Sequence, residues 1–486
     1  MSTPPLMPDA SVRARLWQRV LEAVEDYAEK LDTHRVTPEL DPEKIRALLR
    51  RFDFQAPVDP LEALDFAVEN LWRYQTHTPH PRYYGLFNPA PTTMGIAADT
   101  LVAAFNPQLA AWSHSPLAIE IEQHLIRAFG ARFGYDPTQT DGTFASGGME
   151  ANHTAVLTAL TQAFPEFDRG GARALPAQPA LYVSAEAHHS FHKAARVCGL
   201  GTDAIREVPV DGDLRMDPQA LAERISKDRR AGCAPFLVVA TAGTTNSGVV
   251  DPIARLGEIA ARENLWLHVD AAWGGAAVLV PELRPLLAGV ERADSITFDA
   301  HKWLSVPMGA GIYITRHRSI LDRTFHTATA YMPREAAGLD VIDPCMHSIQ
   351  WSRRCIGLKV FLSLAVAGWG GYAAVIRHMV AMGDNLRQQL AASDWEVVNK
   401  TPLPLVCFVD RQRPEGRSAH YLESVALRVV SSGKAWISTT RLAGTTPVLR
   451  ACITNYRTTA EDLTALVDAL NWARPKARSA AQNLSR

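Results

Sequence analysis

Apolar residues recur at helical spacing through the first third of the chain and at strand spacing through its middle. In residues 11–31, Leu16, Val20, Val24 and Tyr27 share one face of a helix whose other face is charged. A second helix is predicted over 60–73, with Pro60 in its first turn. Two amphipathic helices ahead of any strand form an arm that docks either on its own chain or on a partner subunit. Residues 77–92 hold four prolines and several aromatics, which excludes a regular helix. Helical periodicity returns over 93–105 and 116–133, where Ile121, Leu125 and Phe129 recur every four residues.

From about residue 140 the period changes. Short apolar runs at 180–184, 236–242, 265–269, 295–298 and 310–314 alternate with helical segments at 149–163, 188–198, 217–229 and 252–263. Such alternation predicts an α/β fold with a mostly parallel sheet covered on both faces. An irregular stretch, 324–349, precedes helices at 354–367 and 371–392. Strands at 404–409, 423–430 and 447–453 and a helix at 459–473 then make a small α+β region. The expected division is an N-terminal helical arm (1–78), a large domain (79–345) and a small C-terminal domain (346–486). The final residues, KARSAAQNLSR, are expected to fray.

Composition narrows the function classes. The 486 residues are 47% hydrophobic and 21% charged, ordinary for a large globular core, and the net charge is -1. That balance recruits neither nucleic acid nor an anionic membrane surface. The start, MSTPPLMPDAS, lacks the features of a signal peptide. The most apolar stretches, Ala271–Val280 and Val360–Ala367, fall short of the roughly 20 residues of a membrane span. A cytoplasmic protein without a membrane partner is expected. Six cysteines without a CxxC pair imply neither a zinc knuckle nor a disulfide framework.

Four segments carry candidate chemistry. In TFASGGMEANHTAVLTAL, Ser146, Gly147 and Gly148 open a helix. The N–H groups of Gly148 and Met149 then either cradle a phosphate or simply begin an ordinary capped helix. In SAEAHHSFHKAA, His188 follows a strand and could lie flat on an aromatic cofactor or sit at the surface. His188, His189 and His192 have metal-compatible spacing but no HExxH pattern, so no metal is expected. In ATAGTTNSGVVDP, Gly243, Thr244 and Thr245 leave room for a ligand at a strand end.

The fourth segment, LHVDAAWGG through DAHKWL, places Asp270 and Lys302 just past two strands, at the edge where open parallel sheets bind ligands. That pair suits a pyridine ring held at both ends. A carboxylate about 4 Å from a protonated ring nitrogen contributes ~4 kcal/mol at an effective dielectric of 20, before desolvation. A neutral lysine amine at the other end can attack a carbonyl. His301 can reach a phosphate.

Together HVDAAWGG, DAHKW, SGGMEAN and the AHHS strand end resemble the pyridoxal-phosphate-dependent group II amino-acid decarboxylases. HPRYYGLF, SRRCIGLK and LRACITNYRTT extend the likeness over roughly residues 60–470. The resemblance implies fold type I, pyridoxal 5'-phosphate as cofactor, an amino-acid substrate, and a homodimer with active sites at the subunit interface. It also implies that the arm wraps the partner. By position Lys302 would carry the cofactor, Asp270 would pair with its ring nitrogen and His188 would stack on the ring. Ser146, Gly148, Met149, Asp299 and His301 would fall at the phosphate end, and Thr245 near the ring or the substrate carboxylate. Asp299 departs from the asparagine common in the aromatic enzymes, so its phosphate contact would run through backbone or water.

The glutamate and sulfinate decarboxylases carry a polar Asn-Gln pair where this chain has Gly85 and Leu86. Tyr83, Tyr84, Leu86 and Phe87 suit an aromatic or apolar side chain instead, and decarboxylation of an aromatic L-amino acid to its amine is expected. The family's loop tyrosine, which helps reprotonate Cα, maps to Pro344 or Cys345. Tyr331, His326 and His347 are the nearby substitutes. Loss of that tyrosine in relatives accompanies oxidative deamination to an aldehyde, which stays open beside the amine. A non-catalytic protein on the same fold is the reading from another class.

Overall fold

The computed structural model describes residues 6–474 apart from 328, 330, 331, 334 and 337. Seven strands make the large sheet: β1 (Asp141–Ala145), β2 (Pro179–Ser184), β3 (Ile205–Val208), β4 (Ala234–Thr241), β5 (Trp266–Asp270), β6 (Ser295–Asp299) and β7 (Gly311–Thr315), in the order β1-β7-β6-β5-β4-β2-β3. Strands β3, β2, β4, β5 and β6 run parallel, while β7 is antiparallel to both β6 and β1. Strands β1, β2, β5, β6 and β7 are buried at every position, which is why all of these but β1 read as short apolar runs and not as alternating patterns. The expected α/β fold type I architecture is present.

The arm contains the two predicted helices, Ala10–Lys30 and Pro60–Tyr74, and a third, Pro42–Leu49, that the periodicity did not single out. Leu16, Val20, Val24 and Tyr27 are all half-buried, so the inward face is the predicted one. Strands β1 and β3 were also unanticipated.

A second sheet, β8 (Trp395–Val397), β9 (Leu405–Asp410), β10 (Ser438–Leu442) and β11 (Thr446–Cys452), has the antiparallel order β10-β11-β9-β8. Residues 423–430, expected as a strand, lie in the helix Ala419–Ser432. Their β-branched composition misleads. Leu422, Val425, Ala426 and Val429 are buried at helical spacing, and Ser418 caps the helix by accepting from the Tyr421 N–H. Tyr84 N–H donates to Trp436 O (2.9 Å), and Tyr84 O accepts from Cys452 N–H (3.0 Å), so the proline-rich segment is zipped onto this sheet.

The helices expected at 354–367 and 371–392 join into one 36-residue element, Gly357–Ala392, interrupted at Gly368 (φ 64°, ψ 172°). By length and composition it is the single element, among the described residues, long and apolar enough to cross a membrane. Sequence alone underestimates its length because Gly368 parts the two apolar runs. Tyr372, Ile376, Met379, Leu386 and Leu390 on this element are buried in the core. The KARSAAQNLSR tail lies outside the described residues.

Candidate active site

Parallel pairing sets the geometry of the site. Asp270 closes β5, Asp299 closes β6, and the turn after β6 carries His301 and Lys302. Strand β1 ends beside them at Ala145 and leads through Ser146 and Gly147 into the helix Gly148–Ala163. All of these therefore meet at the carboxyl edge of one sheet.

Asp270 is 5% exposed. Its Oδ2 accepts from Asn152 Nδ2 (2.9 Å) and its Oδ1 from the Ala272 N–H (3.2 Å). Both oxygens keep lone pairs for a further donor. Lys302 Nζ lies 3.0 Å from Asp299 Oδ2. Asp299 is 1% exposed, and its Oδ1 has no partner among the described residues. A Cβ on Gly148 would fall 2.8 Å from Asp299 Oδ2, and one on Gly311 would fall 2.9 Å from Oδ1, so two glycines make room for this carboxylate. The first helical turn leaves the N–H groups of Gly148 and Met149 without intrahelical acceptors.

His301 is buried, and its Nδ1 accepts from the Ala310 N–H (3.1 Å), which leaves Nε2 as the donor of the neutral ring. Burial lowers its pKa, against the opposing pull of Asp299. His188 keeps an exposed surface, while partial burial lowers its pKa and Asp270 opposes that shift. Its Nδ1 accepts from the Ser190 N–H (3.2 Å). His192 faces away, toward Glu207 (3.2 Å), and among the described residues no cluster suited to a metal ion forms.

The four aromatic-pocket residues separate. Phe87 is buried and stacks on Trp273 at 4.8 Å between ring centroids, with Lys302 Nζ 5.8 Å from the Phe87 centroid. Tyr83 packs on Trp436 (5.1 Å). Tyr84 is fully buried in the core, and Leu86 is 55% exposed. Thr245 contributes its carbonyl, which accepts from Arg450 Nε (2.8 Å). Arg450 is 2% exposed, lies 4.9 Å from the Phe87 centroid, donates to Gly85 O (3.2 Å), and keeps Nη2 without a partner among the described residues. Asn152, Trp273 and Arg450 lie inside SGGMEAN, HVDAAWGG and LRACITNYRTT, but nothing in their spacing marks a role for them. A buried polar residue inside a motif otherwise made of ligand-facing residues was the available signal.

Ser146 is committed elsewhere: its N–H (2.9 Å) and Oγ (2.7 Å) both donate to Glu150 Oε2. Of the loop candidates, His347 pairs with Asp141 (2.8 Å) at the start of β1, the edge opposite Lys302. His326 contacts Asp322 (3.1 Å). Cys345 is buried with its N–H on Ala110 O (3.1 Å). Tyr331 lies outside the described residues.

Pyridoxal 5'-phosphate needs an amine for its aldehyde, an acceptor for its ring nitrogen, a flat cover and several phosphate donors. Lys302, Asp270, His188 and the Gly148 and Met149 N–H groups offer these around one crevice, so the residues present fit the group.

Comparison with known proteins agrees. The chain matches the pyridoxal-dependent decarboxylase conserved domain over residues 42–411. Aromatic-L-amino-acid decarboxylase of Bacillus atrophaeus is 33% identical over 457 residues, covering 92% of each chain. Cysteine sulfinic acid decarboxylase of Mus musculus is 30% identical over 371 residues, 76% of this chain and 74% of that one. The crystal structure of mouse CSAD superposes with a TM-score of 0.90 at 26% identity, covering 96% of this chain and 100% of that one. That of Rhodiola rosea 4-hydroxyphenylacetaldehyde synthase gives 0.85 at 25% identity, covering 98% and 99%. The chain belongs to the pyridoxal-dependent decarboxylases and is a lyase that decarboxylates an amino acid with pyridoxal 5'-phosphate.

Proposed function

We propose that the substrate is an aromatic L-amino acid and that Lys302, Asp270 and His188 form the catalytic centre. When bound, the cofactor supplies an electron sink for the pair left behind by departing CO2. Asp270 keeps the ring nitrogen protonated, and Asn152 and Ala272 hold the carboxylate in place for it. Lys302 would hold the cofactor through its amine, and Asp299, 3.0 Å from Nζ, would pair with that amine whenever it is free and protonated. Gly148, Met149 and His301 bind the phosphate, and Ser146 joins them only by leaving Glu150.

One observation carries the substrate class. The Phe87 ring, backed by Trp273, stands 5.8 Å from Lys302 Nζ, so an aromatic side chain lying beside that amine would meet the ring. An acidic substrate would instead seek the free Nη2 of Arg450. A panel of L-amino acids, with CO2 and product both measured, tests the assignment. Turnover of tryptophan, tyrosine, phenylalanine or dopa supports it; turnover confined to glutamate, aspartate or cysteine sulfinate overturns it.

A second reading is favoured by the loop. Pro344 and Cys345 stand where the family tyrosine is expected, and they are buried with no phenol to offer. The likeness to a 4-hydroxyphenylacetaldehyde synthase points the same way. Here the amino acid, dioxygen and water would give an aldehyde, CO2, ammonia and hydrogen peroxide, dioxygen taking the two electrons, and the same panel separates this from amine.

The site is proposed to be completed by a second copy of the chain. Leu86, Phe105, Leu117 and Trp17 are 55%, 81%, 76% and 53% exposed, apolar side chains that a partner subunit would cover. Light scattering should return twice the 53.3 kDa chain mass; a single chain mass would reject the dimer.

A further inference from the structure

Beneath Asp270 a line of buried polar side chains crosses the sheet. Trp266 Nε1 donates to Ser295 Oγ (2.8 Å), and Ser295 Oγ lies 2.8 Å from His268 Nδ1. His268 Nε2 lies 3.2 Å from Asn152 Oδ1 and 3.2 Å from Thr297 Oγ1. Asn152 Nδ2 donates to Asp270 Oδ2 and to Ser190 Oγ, each at 2.9 Å. His268, Ser295 and Thr297 are 0% exposed and Asn152 1%, so water cannot substitute for any of these partners.

The hydrogen positions follow from the two ends. An indole N–H only donates, and an ionised carboxylate only accepts. With Asp270 ionised, Asn152 must turn its NH2 group toward it, which leaves Asn152 Oδ1 facing His268. That oxygen only accepts, so His268 carries its proton on Nε2. A neutral imidazole has one N–H, so Nδ1 accepts, and Ser295 must donate to it while taking the Trp266 N–H. The ring is neutral because burial pushes its pKa down to about 4. Every donor in the line points at Asp270. Were Asp270 protonated on Oδ2, it would donate to Asn152, the amide would turn over, and the His268 proton would move to Nδ1. The tautomer therefore reports whether Oδ2 carries a proton.

We propose that Trp266, Ser295, His268 and Asn152 form a one-way chain of hydrogen-bond donors that fixes Asp270 as a carboxylate and aims its Oδ2, making Asn152 and His268 positioning residues for the reaction. The inference rests on the reading of Asp270 as the partner of the ring nitrogen. None of the chain touches the crevice; it acts through Asp270.

Neutron diffraction from deuterium-exchanged crystals of the holoenzyme tests it without a substitution. The expected result is deuterium on His268 Nε2, none on Nδ1, and a bare Asp270 carboxylate. Deuterium on Nδ1, or on Asp270, overturns the chain. Kinetics test its part in the reaction. Asn152→Leu removes a hydrogen bond to a charged group and should lower kcat by about 10-fold or more, with KM within about twofold. His268→Leu should behave alike, and His268→Gln, which keeps a donor toward Asn152, should recover part of the loss. Equal losses in both His268 variants, or a change confined to KM, would refute the positioning role. Full activity in Asp270→Asn, with the predicted tautomer still seen, would instead remove the catalytic reading on which that role depends.

Discussion

Lys302 Nζ and Asp299 Oδ2 stand 3.0 Å apart at the end of β6, so the amine of the site has its counter-ion three residues behind it in the chain. The other carboxyl oxygen lies against Gly311 and has no partner among the described residues. On the proposed reading, one side chain would serve the lysine and burden the phosphate.

Asp299→Asn separates those two effects. The apoprotein should lose roughly 1 kcal/mol, since Lys302 is partly exposed and solvent replaces some of what the carboxylate gave. The phosphate end loses a negative charge, so the cofactor should bind several-fold more tightly. Thermal melts of the apoprotein and a fluorescence titration with pyridoxal phosphate measure both. Weaker cofactor binding would show that the carboxylate is needed at the phosphate.

Phe87→Ala deletes the aromatic wall. Losing the ring contact should lower kcat/KM for an aromatic substrate by about 10- to 100-fold, the equivalent of burying one such side chain. Cofactor absorbance should stay. If aromatic and acidic amino acids lost activity equally, Phe87 would be supporting the fold and not reading the substrate.

Much of this site was legible because the reactive residues sit at strand ends, where an apolar run stops abruptly at Asp270 or at Asp299-Ala300-His301-Lys302. Periodicity marks such places well. It does not reveal which polar residues turn inward. Asn152 and His268 read as any helix asparagine or strand histidine, and only the register of β5 against β6 and the helix above them joins the two. The aromatic run 83–87 spreads its side chains for a related reason. Consecutive residues point different ways, so Tyr84 entered the core, Leu86 faced outward, and Phe87, at φ 65°, alone turned to Lys302. In the small domain, residues 423–430 carry strand-like composition at helical spacing, and packing followed the spacing.

Burial of His268 has a consequence for stability. Its folded pKa of about 4 lies below the usual 6.5, so the fold favours the neutral ring. The stability this gives is fully present above pH 6.5 and is lost as pH falls toward 4, by up to about 3 kcal/mol. Urea midpoints measured from pH 7 to 4 should fall, and His268→Gln should flatten the slope. An unchanged slope in that variant would show that His268 does not titrate in this window.

The central claim is that Lys302 holds the cofactor. Borohydride reduction of the loaded protein, followed by proteolysis and mass spectrometry, tests it most directly. A single phosphopyridoxyl group should appear on the peptide containing Lys302 and vanish in Lys302→Ala together with the visible absorbance of the protein. A label on another lysine, or absorbance and turnover that survive in Lys302→Ala, would contradict the account.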